Sequence, residues 1–171
     1  MSSHAERLET LAPVFAERCR QVEARAQAAG VRVRWSQTLR SLDDQRKLYA
    51  LGRDQYWNII EPAKVVTHAR PGWSWHEFGC AADFAILKGE TAVEWSPVAD
   101  LDLDGLVDWL EVGRIAEEVG LDWGGRWGKP DLPHLEYHPG LTIIDARRLM
   151  LANPSQSLRA IWAAISVTHH P

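Results

Sequence analysis

The most constrained stretch of this chain is five residues held between two prolines, Pro133-His134-Leu135-Glu136-Tyr137-His138-Pro139. Proline lacks the amide a helix needs and disfavours helical geometry in the residue before it, so His134 and His138 do not read as a helical i, i+4 pair. The alternative is a short extended segment, and strand side chains alternate with a period of two. His134, Glu136 and His138 then project to one face, and the rest of the chain must supply the neighbours of that strand.

Periodicity assigns the remainder. Leu8, Leu11, Phe15, Cys19 and Val22 recur at spacings of three and four within His4 to Ala29, which predicts an amphipathic helix ended by Gly30. Pro13 inside that run either kinks the helix or marks its true first turn. Val31 to Trp35 alternates like a half-buried strand, and Ser41 or Asp43 can cap a helix through Leu51 that ends at Gly52. Residues 53–72 carry Pro62 and Pro71 without a sustained period and read as a long loop or two short strands. Ala81 to Leu87 is a second strand, Leu103 to Val119 a helix closed by Gly120, and Thr142 to Ala152 and Leu158 to Val167 two further helices. Helices and short strands in this irregular order specify an α+β domain, with a small antiparallel sheet flanked by helices. At 171 residues one domain is the expectation, residues 1–152 forming it and 153–171 a C-terminal extension with no assigned role.

Composition excludes several function classes. A net charge of -4 argues against the broad cationic face that a nucleic-acid partner requires. The longest apolar run, Ala160 to Ile165, is far short of the roughly 20 residues of a membrane span. Glu6, Arg7 and Glu9 interrupt the place where a signal peptide has its apolar core, so synthesis is expected to end in the cytoplasm. Two cysteines, Cys19 and Cys80, read as buried free thiols rather than a disulfide.

Two clusters carry chemistry. In the first, Ser74-Trp75-His76-Glu77-Phe78-Gly79-Cys80-Ala81-Ala82-Asp83, His76 and Asp83 cannot meet on one continuous strand or helix, but a turn at Gly79 would bring Asp83 beside the His76 imidazole. The bland reading is a capping histidine and a surface aspartate. In the second cluster, one of the two histidines can join His76 and Asp83 in a three-ligand zinc site with an open position for water, and either Asp131 or Glu136 can serve as the base. The bland reading there is a histidine pair in a surface hairpin.

Ser74-x-His76-x-x-Gly79-x-Ala81-x-Asp83, followed about fifty residues later by Asp131-x-Pro133-His134, resembles the zinc peptidases of the D-alanyl-D-alanine carboxypeptidase and L-alanyl-D-glutamate peptidase superfamily, especially its phage endolysin branch. Thr38-Leu39-Arg40-Ser41 with Gln45 and Leu48-Tyr49-x-x-Gly52-Arg53 is similar to the family's arginine segment. Val66-Thr67 to Pro71-Gly72 resembles the stretch before the first motif, and Gly120-Leu121-x-Trp123-Gly124-Gly125-x-Trp127 the run into the last ligand.

The resemblance implies a D,D-peptidase or hedgehog-like fold. It implies one Zn2+ per chain on His76, Asp83 and His134, with Asp131 as catalytic base and Arg40 steadying substrate or oxyanion. Ser74 would touch substrate, and Glu136 and His138 would stand behind the ligands. The activity it implies is hydrolysis of the L-Ala–D-Glu bond of the peptidoglycan stem peptide, by a monomer released to the cell wall. A D,D-carboxypeptidase or dipeptidase on the same scaffold, and a non-catalytic zinc-stabilised wall-binding module, are the alternatives. Six of the nine tryptophans, Trp73, Trp75, Trp95, Trp109, Trp123 and Trp127, lie between the residue just before the first cluster and the start of the second. They are expected to wall a cleft, Trp75 and Trp127 first, with ordinary core packing claiming about half of them.

Overall fold

A computed structural model describes residues 4–167, and its centre is the longest strand. Ala81–Lys88 (β2) follows β1 at Val33–Gln37 in the chain, and the two pair antiparallel with Trp35 opposite Phe84 and Gln37 opposite Asp83. On the other edge of β2, a hairpin return, β3 at Ala92–Glu94, covers the far half. A strand from late in the chain, β5 at His134–Glu136, covers the near half, with Asp83 opposite His134 and Ala81 opposite Glu136. Asp122–Trp123 (β4) extends the sheet beyond β5, so the order is β1-β2-β5-β4 with β3 beside β2. All of these pairings are antiparallel, and β2 is nearly all apolar because both of its edges and most of its side chains are covered.

Helices bury the sheet. The opening apolar period divides into α1 at His4–Leu8 and α2 at Pro13–Ala28, because Pro13 takes the first helical position, where its missing amide costs nothing. Phe15, Cys19, Val22 and Ala26 of α2 are buried. Next, α3 at Leu42–Ala50 is capped by Ser41, whose hydroxyl accepts from the Asp44 amide at 3.1 Å. The helix α4 at Asp108–Glu118 buries Trp109, Val112, Ile115 and Ala116. Its Gly113 lies so close to the Trp123 ring that a Cβ there would sit 2.4 Å from it.

Several boundaries differ from expectation, the first strand running over Val33–Gln37 rather than 31–35. The helix read as 103–119 starts at Asp108, because Leu103 and Gly105 are left-handed and the amides of Asp104, Gly105 and Leu106 bond to carboxylates of Asp102, Asp100 and Asp104 instead of entering a helix. Leu103 and Leu106, which supplied the apolar period, are exposed. The strand read over 134–138 closes at Glu136. Residues 53–72 form a loop with a single turn of 3-10 helix at Pro62–Lys64 and an Arg53–Ile59 bridge. At the C-terminus α5 (Ile143–Ala152) and α6 (Ser157–Val167) pack together; Ile161 and Ile165 of α6 join the main core, and Trp162 Nε1 donates to the Phe78 carbonyl at 2.8 Å. Cys19 and Cys80 are buried free thiols, and burial pushes the Cys80 thiol up to about 12, which removes it as a nucleophile at neutral pH. Among the described residues no helix is long and apolar enough to cross a membrane.

Candidate active site

A tight turn sets the first two chemical side chains. Ser74 opens a 3-10 turn over Trp75–Phe78, and the Glu77 carboxylate folds back to accept from the amides of Gly72 at 2.8 Å and Ser74 at 3.1 Å. Gly79 ends the turn at φ 66, a left-handed conformation that suits a residue without a Cβ, and the chain enters β2. This reversal brings His76 Nε2 to 3.4 Å from Asp83 Oδ1. The third group comes from cross-strand pairing: His134 stands opposite Asp83, with Nδ1 3.1 Å from the same oxygen. One donor atom from each of His76, Asp83 and His134 lies within 4.8 Å of the others.

The outward ring nitrogens have their own acceptors. His76 Nδ1 is 3.0 Å from the Thr38 carbonyl, and His134 Nε2 is 3.1 Å from Glu136 Oε2. With a metal bound, protons kept there would leave the lone pairs of His76 Nε2 and His134 Nδ1 to the ion, the arrangement that orients metal-binding imidazoles; without one, the same nitrogens can donate to Asp83. Electrostatics make the same demand. Burial pushes Asp83 up, yet hydrogen bonds from His134 and His76 outweigh it and hold the carboxyl well below its usual range. Burial pulls His134 down, but its bonds to Asp83 and Glu136 lift it to about 9. The point between these groups favours positive charge, and two imidazole nitrogens plus a carboxylate oxygen, opening onto a cleft, fit a divalent metal of the zinc type.

Behind His134 the chain extends a hydrogen-bonded series. Glu136 Oε1 is 3.0 Å from His138 Nε2, while His138 Nδ1 lies 3.2 Å from the Leu141 carbonyl. Both nitrogens of His138 therefore face acceptors, which suits the imidazolium, and the ring stacks on Trp75 at 4.0 Å between centroids. Burial alone would raise Glu136, but its two histidine partners hold it at about 2.

Asp131 sits differently. Its amide donates to Gly124 O at 3.0 Å and its carbonyl accepts from the His134 amide at 3.2 Å, so the backbone is pinned on both sides. Gly124 permits this approach, since a Cβ there would be 2.6 Å from Asp131 O. Burial pushes the Asp131 carboxyl above its ordinary value despite the opposing pull of His134. Asp131 and Glu136 thus flank one histidine with opposite shifts.

The group opens into a cleft of about 740 Å³ that Arg40, Ser74, Trp75, Asp131, Trp127 and Lys129 help to line. Arg40 is anchored: Nε donates to Gln37 Oε1 at 3.0 Å and Nη1 to Gln45 Oε1 at 2.8 Å, leaving Nη2 3.9 Å from Asp83 Oδ2. Gln45, a fully buried amide on α3, ties this cation to the Ala69 carbonyl at 2.7 Å. Of the six tryptophans from Trp73 to Trp127, Trp73, Trp75 and Trp127 line the cleft, Trp109 and Trp123 are core, and exposed Trp95 stacks on Trp109. Trp127 stands with its ring 5.0 Å from that of His134. Ser74 lines the cleft but is buried, and one face of Trp75 is covered by His138. The sequence reading missed the supports: the Thr38 carbonyl, Gln37 and the anchoring bonds of Gln45 and Glu77. Gln45 and Glu77 are buried polar side chains, and burial is not visible in sequence.

The family model described as D-alanyl-D-alanine carboxypeptidase matches residues 67–137, the span that holds His76, Asp83, Asp131 and His134 but not Arg40. The peptidoglycan L-alanyl-D-glutamate endopeptidase CwlK of Bacillus subtilis is 38% identical over 130 residues, covering 75% of this chain and 74% of CwlK. The crystal structure of Serratia marcescens L-Ala D-Glu endopeptidase ChiX shares the fold with a TM-score of 0.56 at 20% identity, over 86% of this chain and 92% of that one. With its His-Asp-His group at the floor of a cleft and CwlK matched across three quarters of its length, the chain is a peptidase and belongs to the family of the D-alanyl-D-alanine carboxypeptidases and L-alanyl-D-glutamate endopeptidases.

Proposed function

We propose that this peptidase is a zinc endopeptidase that cuts the L-alanyl–D-glutamate bond of peptidoglycan stem peptides, acting as a monomer on the cell wall in the manner of a phage endolysin. The observation that carries the reading is the convergence of His76, Asp83 and His134 beside Asp131 in an open cleft. CwlK and ChiX, both L-Ala-D-Glu endopeptidases by name, support the bond specificity. The endolysin assignment is supported by the motif resemblance.

Zinc held by His76 Nε2, Asp83 Oδ1 and His134 Nδ1 would supply Lewis acidity toward the scissile carbonyl and a more acidic water. Asp131 is the base: its carboxylate takes the proton of the attacking water and returns it to the amine of the departing D-glutamyl residue. Its raised pKa suits that exchange, and its pinned backbone holds the carboxylate in place. Glu136, held low between two histidines, stays ionised and orients His134 instead. Arg40, positioned by Gln37 and Gln45, faces the oxygen on which negative charge develops. Trp127 offers its exposed ring to the stem peptide. Ser74 and Trp75 complete that wall.

Digestion of purified peptidoglycan with mass spectrometry of the products tests the reading. L-alanine carboxyl termini left on the sugar side support it. Release of free D-alanine instead identifies a D,D-carboxypeptidase, and binding without cleavage a wall-binding module.

A further inference from the structure

The helix that starts late at Asp108 is preceded by a loop whose side chains the peptidase reading does not use. Asp100, Asp102, Asp104, Gly105, Asp108 and Glu111 stand at positions 1, 3, 5, 6, 9 and 12 of a twelve-residue window. This is the spacing of the EF-hand calcium loop, in which side chains at 1, 3, 5, 9 and 12 and the carbonyl at 7 bind the ion and glycine at 6 makes the sharp turn. The backbone agrees. Gly105 has φ 89, and its amide donates to Asp100 Oδ2 at 3.0 Å, drawing the loop around its own acidic side chains. One oxygen each from Asp100, Asp102 and Asp108 lie within 4.8 Å of one another, as do oxygens from Asp102, Asp104 and Glu111, so Asp102 joins the two sets.

Acidic loops are common on surfaces, but this one is partly buried and unneutralised. Asp108 is 1% exposed and Glu111 7% exposed. Glu111 Oε2 and Asp100 Oδ1 are buried with no hydrogen-bond partner. No ion pair among the described residues reaches any of the five carboxylates, and nearby Arg114 is engaged by Glu118. Burial, joined by repulsion from the neighbouring carboxylates, pushes both Asp108 and Glu111 above their ordinary range. A buried acid without a partner costs free energy, and a cation in the loop removes that cost.

We propose that residues 100–111 form a second metal site, separate from the catalytic group, that binds calcium and fixes the start of α4. Oxygen donors without nitrogen or sulfur select a hard cation, and a flexible loop with many carboxylates favours calcium over magnesium. The loop departs from an EF-hand in its entry, where β3 and a turn replace the first helix. The exit helix is present as α4, whose buried face includes Trp109 and Val112. Ion binding therefore stabilises a helix that belongs to the core. The inference stands independently of the bond the enzyme cleaves.

The test uses the full chain purified with its catalytic metal and kept in buffer otherwise free of divalent ions. Thermal unfolding is followed with about 5 mM calcium or magnesium, above the weakest EF-loop dissociation constants of about 1 mM. At about 5 mM, calcium raises Tm by about 2–4 °C for a Kd of about 1 mM and by about 5–10 °C for a Kd of about 50 μM, and magnesium raises it less. Terbium gives tryptophan-sensitised emission, from Trp109 within the 100–111 window, that calcium displaces. Glu111→Gln raises the calcium-free Tm by removing a repelling charge and erases most of the calcium response, a pair of opposite effects that a merely structural glutamate would not give. Asp102→Asn also loses the response and carries the test if Glu111→Gln fails to fold. The proposal is overturned if the unsubstituted protein shows neither a calcium-dependent Tm nor calcium-displaceable terbium emission, or if both variants respond as it does.

Discussion

Two regions of this molecule gather metal-ligating types of side chain around a point, and they are built in opposite ways. At His76, Asp83 and His134 the groups come from a turn and two paired strands, and Asp83 is matched by two imidazoles and faced by a guanidinium. At 100–111 the groups come from twelve consecutive residues, all of them oxygen donors, with no cation matched to them among the described residues. The first is held by a turn and by long-range strand pairing. The second has charge to shed. A catalytic centre must be preorganised, whereas a structural ion site can draw its geometry from the ion itself.

The sharpest way to break this contrast is to remove one ligand from each region. His76→Ala loses the bound metal and lowers peptidoglycan hydrolysis by at least about 10³-fold, since metal activation supplies several kcal/mol; Glu111→Gln leaves turnover on the folded enzyme within a few-fold. Equal losses would mean that the loop is part of the catalytic machinery. Next comes Asp131→Asn, expected to cost about 10²- to 10⁴-fold in kcat with metal content unchanged. The raised Asp131 pKa has a sign to check: its carboxylate must be ionised to act, so kcat/KM falls as pH drops through a value above the ordinary aspartate range. An acid limb at the ordinary value, or none, would remove Asp131 as base.

Outside both regions, Ile161→Ala removes a fully buried side chain of α6 and is expected to cost about 2–5 kcal/mol in urea unfolding, without altering metal content. That variant separates loss of fold from loss of site. Glu136→Gln weakens metal affinity by about 10- to 100-fold, read by competition with a chromophoric chelator, because His134 loses the charged acceptor that orients it. A loss as deep as that of Asp131→Asn with metal still bound would reverse the two carboxylate roles. The smallest effect belongs to Trp127→Ala, expected to raise KM up to about tenfold with kcat nearly kept, as for one lost aromatic contact.

Much of this was legible because it is local. Apolar spacing in α2, the Ser41 cap of α3 and the Gly79 turn depend on neighbours in sequence, and the motif residues at 74–83 and 131–134 carried the family. Two failures have different causes. Leu103, Leu106, Val107 and Leu110 satisfy a helical period, and that period hid the acidic spacing interleaved with it; the aspartate side chains won the competition for the backbone amides. The assignment of Asp131 and Glu136, by contrast, was left open by their residue types. Both are carboxylates within a few residues of His134, and only their surroundings separate them.

What the sequence determined by itself was the alphabet and the local turns: a strand bracketed by prolines, a glycine reversal between His76 and Asp83, and a run of acidic residues at 100–111. Tertiary structure decided which of these meet. Register places Asp83 opposite His134, and burial lifts Asp131 while two histidines hold Glu136 down. Packing sends Trp109 and Trp123 to the core but Trp127 to the cleft. The physical reason is range: hydrogen-bonded turns and side-chain periodicity act within a few residues, whereas donor convergence, desolvation and charge coupling depend on atoms that only the fold brings together.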